Sequence, residues 1–210
     1  MERQVYINGK LSLDHYGFHI LEAPTIGYPK VQTYKISVPF RNGEIDLTNH
    51  LGEPTFSNGE ISIRFFFEDR ERLRRFAAEI HGRPCTVSIF PPYYHKGTAM
   101  LKDYTPHESD RYTQGTLVID CEPFSYNGRT RGFSFDRVEA TKELILVNEG
   151  FATVASFTGS SIFELNGEVY DIDDGEDGVL KVKIPHGKST VKLRQTSHPI
   201  SCTYKERFPW

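Results

Sequence analysis

Hydrophobic and polar residues alternate along much of this chain with the period of two that a half-buried strand requires. The clearest run is FSNGEISIRFFFED, residues 56–69. Ile61, Ile63, Phe65 and Phe67 fall on one face, and Ser62, Arg64, Phe66 and Glu68 on the other. The first face is core. Phe66 stands among polar neighbours and needs a cover, which is either the chain's own helix or a further strand layer, or the surface of a neighbouring subunit. Asn-Gly, the dipeptide that best tolerates positive φ at both centres of a type I′ turn, starts at Asn8, Asn42, Asn58, Asn127 and Asn166, so tight hairpins are expected at each. The pattern predicts strands over 4–7, 10–13, 32–38, 44–48, 60–67, 84–90, 97–104 and 113–121.

One segment has a helical period. In EDRERLRRFAAEIHG, Leu73, Phe76, Ala77 and Ile80 recur at i, i+3, i+4 and i+7, with Asp69 as N-cap and Gly82 as stop, so a helix is expected over about 69–81. After CEPFSYNGRTRG the texture changes to shorter runs, at 133–139, 143–147, 151–158, 162–165, 168–172, 179–184, 188–194 and 200–205. Turn residues separate them every ~8–12 positions, the sign of a small β-sandwich. The chain therefore reads as mainly β in two domains. Residues 1–126 form a sandwich-like β domain with one helix, and residues 131–210 a second sandwich.

Composition narrows the function more than the fold. The chain of 210 residues is 38% hydrophobic and 13% aromatic, enough for packed cores. Its formal charge of −3 is spread evenly, with 14 basic against 16 acidic residues up to Ser125 and 11 against 12 from Tyr126 onward. Neither half has the basic excess that tight phosphate binding demands. The N-terminus MERQVYINGKLSL lacks the apolar run of a signal peptide, and no stretch approaches ~18 consecutive apolar residues, so no membrane insertion is expected. Cys85, Cys121 and Cys202 are odd in number and far apart, which fits reduced thiols packed in strands.

No run of residues spells out catalysis. HExxH, GxSxG, the P-loop and GxGxxG are all missing, and no enzyme activity or cofactor is expected. The acidic run DIDDGEDG offers Asp171, Asp173 and Asp177 as weak calcium ligands. Its Gly comes one position early, and Val182 stands where an EF-hand needs a bidentate Glu, so a solvated turn is the better reading and no metal is expected. His15 and His19 have the spacing of helical metal ligands but surround Gly17. Arg70, Arg72, Arg74 and Arg75 are interleaved with acidic residues, as on a solvated helix face. The aromatic string FPPYYHKG reads as a stiff connection with Tyr93 and Tyr94 packed at the sheet end, rather than a sugar platform.

The order of segments carries more than any single site. VPFRNGEIDLT (38–48), NGEISIRFFFED (58–69), one helix, CTVSIF (85–90), YYHKGTAMLKDY (93–104) and GTLVIDCEPFSY (115–126) resemble the N-terminal domain of siphophage distal tail proteins. Members of that family share a Val-Pro-x-Arg-[Asn/Asp]-Gly turn and a closing Cys-[Asp/Glu]-Pro-[Phe/Tyr]-x-Tyr signature, matched here by Cys121, Glu122, Pro123, Phe124 and Tyr126. Phe40 departs from the family, which has a small residue there. NEGFATVASFTGSS, LNGEVYDIDDGEDGVLKVKIPHGKSTVKL and the closing TYKERFPW look like its galectin-like C-terminal β-sandwich.

The resemblance implies a structural virion protein, made in the bacterial cytoplasm and carried in the phage tail. Six copies would close into a ring at the distal end of the tail, joining the tail tube protein to the tail-tip or tail-fibre protein around a channel through which DNA passes. The expected subunit or partner interface is Arg41, Asn42, Arg64 and Phe66, where unexplained surface concentrates. The alternative is a carbohydrate-binding module that contacts host-surface sugars through the second domain. That domain contains one Trp, Trp210, at its end.

Overall fold

The alternation of FSNGEISIRFFFED becomes the strand Gly59–Phe67, in which residues 61, 63, 65 and 67 are buried and residues 60 and 64 exposed. The structure, a computed structural model, describes residues 4–40, 42–48, 54–106, 113–174 and 178–208. It is mainly β with one α-helix, and it divides into two compact units with the boundary between Ser125 and Tyr126.

In the first unit the strands run in the order Lys10–Leu11, Tyr6–Ile7, Pro84–Ser88, Tyr93–Pro106, Thr113–Asn127, Gly59–Phe67 and Phe18–Ile20. Thr25–Gly27 pairs with the other end of Gly59–Phe67. The core lies on one face of this sheet and is closed by the helix Arg70–Ile80. Leu73, Phe76 and Ile80 point inward. The Phe76 ring sits 5.1 Å from that of Phe18, 5.6 Å from Phe67 and 6.2 Å from Phe65. The Asp69 carboxylate accepts the Glu71 N–H at 2.8 Å and caps the helix. Gly82, at φ 71°, turns the chain out of it.

Two local expectations change. Of the five Asn-Gly pairs, Asn8-Gly9 (φ 50° and 75°) and Asn166-Gly167 (φ 51° and 92°) make type I′ turns. Asn58-Gly59 does not. Gly59 already pairs with Cys121 in the sheet, and the Asn58 amide donates to the Asp120 carboxylate at 3.2 Å, so the chain runs straight through. The strand expected over 10–13 stops at Leu11 and gives way to a π-helical turn, Ser12–Tyr16. Ser12 Oγ accepts the Val5 N–H at 3.3 Å, and the buried Tyr16 hydroxyl donates to the Ile7 carbonyl at 3.3 Å, which holds that turn against the sheet.

The second unit is a sandwich of two four-stranded sheets. One has the order Arg131–Phe135, Ile200–Tyr204, Thr153–Gly159, Val179–Ile184, and the other Lys142–Asn148, Gly187–Leu193, Ile162–Leu165, Glu168–Asp171. Inward residues of both sheets share one core, in which Phe157 and Phe163 stack across the layers at 4.1 Å. One end is tied by polar groups. The buried Asn148 amide donates to the carbonyls of Phe151 and Pro185 at 2.9 and 3.1 Å, and its oxygen accepts the Gly150 N–H. The buried Glu206 carboxylate takes Arg131 at 3.0 Å and the Glu149 N–H at 2.9 Å. Only the carboxylate is buried, while the Arg131 side chain is 37% exposed, so losing Arg131 would leave a buried charge poorly compensated.

Gly97, on the strand Tyr93–Pro106, lies tightly against the backbone of Thr113–Asn127. A Cβ there would overlap the Asp120 carbonyl oxygen and lie 2.9 Å from Cys121 Cα, both backbone atoms that cannot swing aside. Gly97→Ala is expected to lose roughly 1–3 kcal/mol by overpacking, read from the urea midpoint at unchanged m-value. An unchanged midpoint would contradict this close backbone packing at Gly97.

Candidate functional site

Arg64 and Phe66 lie two residues apart on the sheet face that the helix does not cover. The helix therefore does not answer for Phe66, contrary to one of the two expected covers. A neighbouring strand does so in part. His19 is the cross-strand partner of Phe66, and its imidazole stacks on the ring at 4.6 Å with an interplanar angle of 10°. The same imidazole lies 3.8 Å from the Glu68 carboxylate. Phe66 is left half-buried. Arg64 is exposed and donates to Glu22 at 3.5 Å, a loose surface pair of small energetic weight. Asn42 belongs to a different element, and Arg41 lies outside the described residues.

That other element is a ribbon between Gly27 and Gly59. It consists of two short ladders, Val31–Gln32 with Thr55–Phe56 and Lys35–Ser37 with Glu44–Asp46. Its base is anchored by Phe56, whose ring meets that of Phe124 at 6.0 Å, and by the Ser57 N–H on the Lys30 carbonyl. Further out, the Thr48 hydroxyl and N–H bond to the Asp46 carboxylate and hold its pKa below the usual value. Ile45 and Leu47 are half-buried, but several other apolar side chains of the ribbon face solvent. Tyr28 and Tyr34 are 68% and 63% exposed, and Phe40, at φ 65°, is completely exposed. The strand expected over 32–38 is broken into Val31–Gln32 and Lys35–Ser37, and its alternation did not show what surrounds it, because period two is the same whether or not a second layer lies above.

A second group of exposed aromatics lies at the turn Phe90–Tyr93. The Tyr93 N–H bonds to the Phe90 carbonyl at 3.1 Å, and Phe90 is 70% exposed. Tyr94 is half-buried as expected, but Tyr93 is more open than a packed sheet end implies. The segregation is complete among the described residues. Every large exposed aromatic (Tyr6, Tyr28, Tyr34, Phe40, Phe90, Tyr93) belongs to the first unit, and the second unit exposes only the aliphatic Ile145, Val154, Ile162 and Val169.

Two open troughs lie on the first unit. One, of about 430 Å³, is lined by Asn58, Thr86, Lys96, Asp120 and Glu122; the other, of about 510 Å³, by Leu21, Glu22, Arg64, Asp103, Gln114 and Thr116. The first is also lined by Cys85, whose thiol burial holds protonated. Asp171 and Asp173 are engaged locally. The Asp171 carboxylate accepts the Asp173 N–H at 3.1 Å, and Asp173 accepts the Ser160 hydroxyl at 3.2 Å, which organises a 3₁₀ turn. Asp177 lies outside the described residues. Among those described, no group of three or more His, Cys, Asp or Glu converges.

Burial pushes the Cys85 thiol up to about 11 and those of Cys121 and Cys202 up to about 12. In the unfolded chain a thiol ionises near ~8.5. The folded state therefore keeps protons that the unfolded state has released, and stability falls as pH rises. This contribution is whole below about pH 8.5 and is progressively lost toward pH 11–12, so the melting temperature is expected to decline steadily through that window. All three thiols should resist a thiol reagent at about pH 8 until the chain is unfolded. Prompt labelling of the native protein would contradict their burial.

No protein-family model matches the chain, and no curated protein matches it in sequence. Among solved structures, the crystal structure of SPP1 Dit (gp 19.1), described as a paradigm of the hub adsorption apparatus in phages infecting Gram-positive bacteria, superposes with a TM-score of 0.61. The match covers 98% of each chain at 13% identity. The two proteins share a fold from end to end.

Proposed function

We propose that this chain is a structural component of a phage tail. In this reading six copies close into a ring at the distal end, between the tail tube protein and the tail-tip or tail-fibre protein, around a channel for DNA. The observation that carries the reading is the end-to-end likeness to SPP1 Dit, both units included and in the same order. The ordered run of segments from VPFRNG to CEPFSY points the same way on independent, sequence-level grounds.

The physical properties fit. A closed ring of identical subunits needs two different surfaces on each copy, one that gives and one that receives. The first unit has both a ribbon with exposed aromatics and a half-covered sheet face carrying Arg64 and Phe66. Exposed aromatics concentrated on one unit are what an interface core needs. Near-balanced charge suits a wall past which DNA slides, since dense Lys and Arg would hold phosphate. The second unit is galectin-like in this reading. Sugar binding there has no supporting observation: the large hydrophobic side chains it exposes among the described residues are aliphatic, with no exposed Trp, Tyr or Phe for a sugar to stack on.

Light scattering on the full chain of 24.1 kDa is expected to show a concentration-dependent rise toward six subunits, about 145 kDa. A fragment of residues 131–210 should remain a folded monomer at every concentration, and residues 1–126 should keep the tendency to assemble. A full chain that stays monomeric at all concentrations, with or without the tail tube protein, would overturn the ring.

A further inference from the structure

We propose that Phe40 is an anchor that seats in the trough beside Arg64 on a second copy of this chain. The inference rests on the ring reading and names the contact that would close it. Phe40 combines two unfavourable features. Its side chain is completely exposed, and its backbone sits at φ 65°, a region that a bulky residue enters only under strain. The ladders behind it are two-stranded, and Val31 and Ile36 on them and Tyr34 between them are exposed. A lone two-stranded ribbon is marginal in water, so this one needs a surface to lie on.

The receiving surface has matching size, and its lining combines one apolar wall with polar and charged groups. The trough of about 510 Å³ falls within the range of sites that enclose a bound group, and a large aromatic fits inside it. Leu21, 40% exposed, supplies an apolar wall. The exposed Arg64 guanidinium, held only loosely by Glu22, is free to turn onto the face of an incoming ring. The ribbon brings Lys35, Glu44 and Asp46, and the trough brings Glu22, Arg64 and Asp103, so each side meets charges of both signs. The chain thus carries a knob and a hole at separate places, the requirement for a head-to-tail ring.

The test is a disulfide trap in the full-length protein. Phe40→Cys is combined with Thr116→Cys, since Thr116 lies directly across from Arg64 in the sheet. The native thiols are buried and stay out of the exchange. Mild oxidation at assembling concentration is expected to give a ladder of covalent multimers on a denaturing gel, and either single variant none. Separately, Phe40→Asn, which suits a positive φ, should hold or raise the melting temperature while weakening assembly by about tenfold or more, and Phe40→Trp should assemble normally. Normal assembly with no ladder and no effect of Phe40→Asn overturns the docking and leaves the ring reading standing. A cross-link confined within one chain shows the tip folding onto its own trough and also overturns it. A protein that never assembles removes both.

Discussion

The Phe76 ring, wedged among Phe18, Phe65 and Phe67, is the contact on which the first unit depends. It commits one face of the sheet to the helix, and by the alternation of the strand it turns Arg64 and Phe66 to the other. Gly115, paired with Phe65, leaves room for that ring, since a Cβ there would lie 2.8 Å from it. The helix also takes the apolar side chains of residues 73, 76 and 80 out of circulation. Nothing comparable closes over the ribbon. Its Phe56 anchors the base, while Val31, Tyr34, Ile36 and Phe40 stay exposed.

Local patterns were legible to the extent that local physics makes them. The helix was expected over about 69–81 and occupies Arg70–Ile80, because cap, apolar stripe and stop all lie within one short segment. The strands at 162–165 and 179–184 coincide with their expected bounds for the same reason. Features that depend on distant residues were not legible. Asn58-Gly59 is a turn by its own preferences, yet pairing with Cys121 and the bond to Asp120 keep it extended. The partner of Phe66 is His19, some forty-seven positions away, on a strand that residues 14–20 did not announce. Arg64 and Phe66 could be placed on one face by period alone. The trough beside Arg64 could not, because it is assembled from four separate stretches of chain.

The two units divide the surface in a way that fits the proposed tail-end ring. Charged residues such as Glu143, Glu164, Lys188 and Lys192 occupy the outer face of one sheet of the second unit, as on a solvated module. The first unit instead exposes aromatics at two places and leaves a sheet face half covered. In a lone monomer that distribution is a liability, and in an assembly it is the adhesive.

The central claim is that assembly is a property of the first unit's ribbon and open sheet face. Hydrogen exchange compared between dilute and concentrated full-length protein tests it most directly. The account predicts that amides of residues 31–37, 44–48 and 54–56 slow markedly on concentration, while those of strands Lys142–Asn148 and Gly187–Leu193 keep their rates. Slowing confined to the second unit, with the ribbon exchanging freely at every concentration, would contradict it.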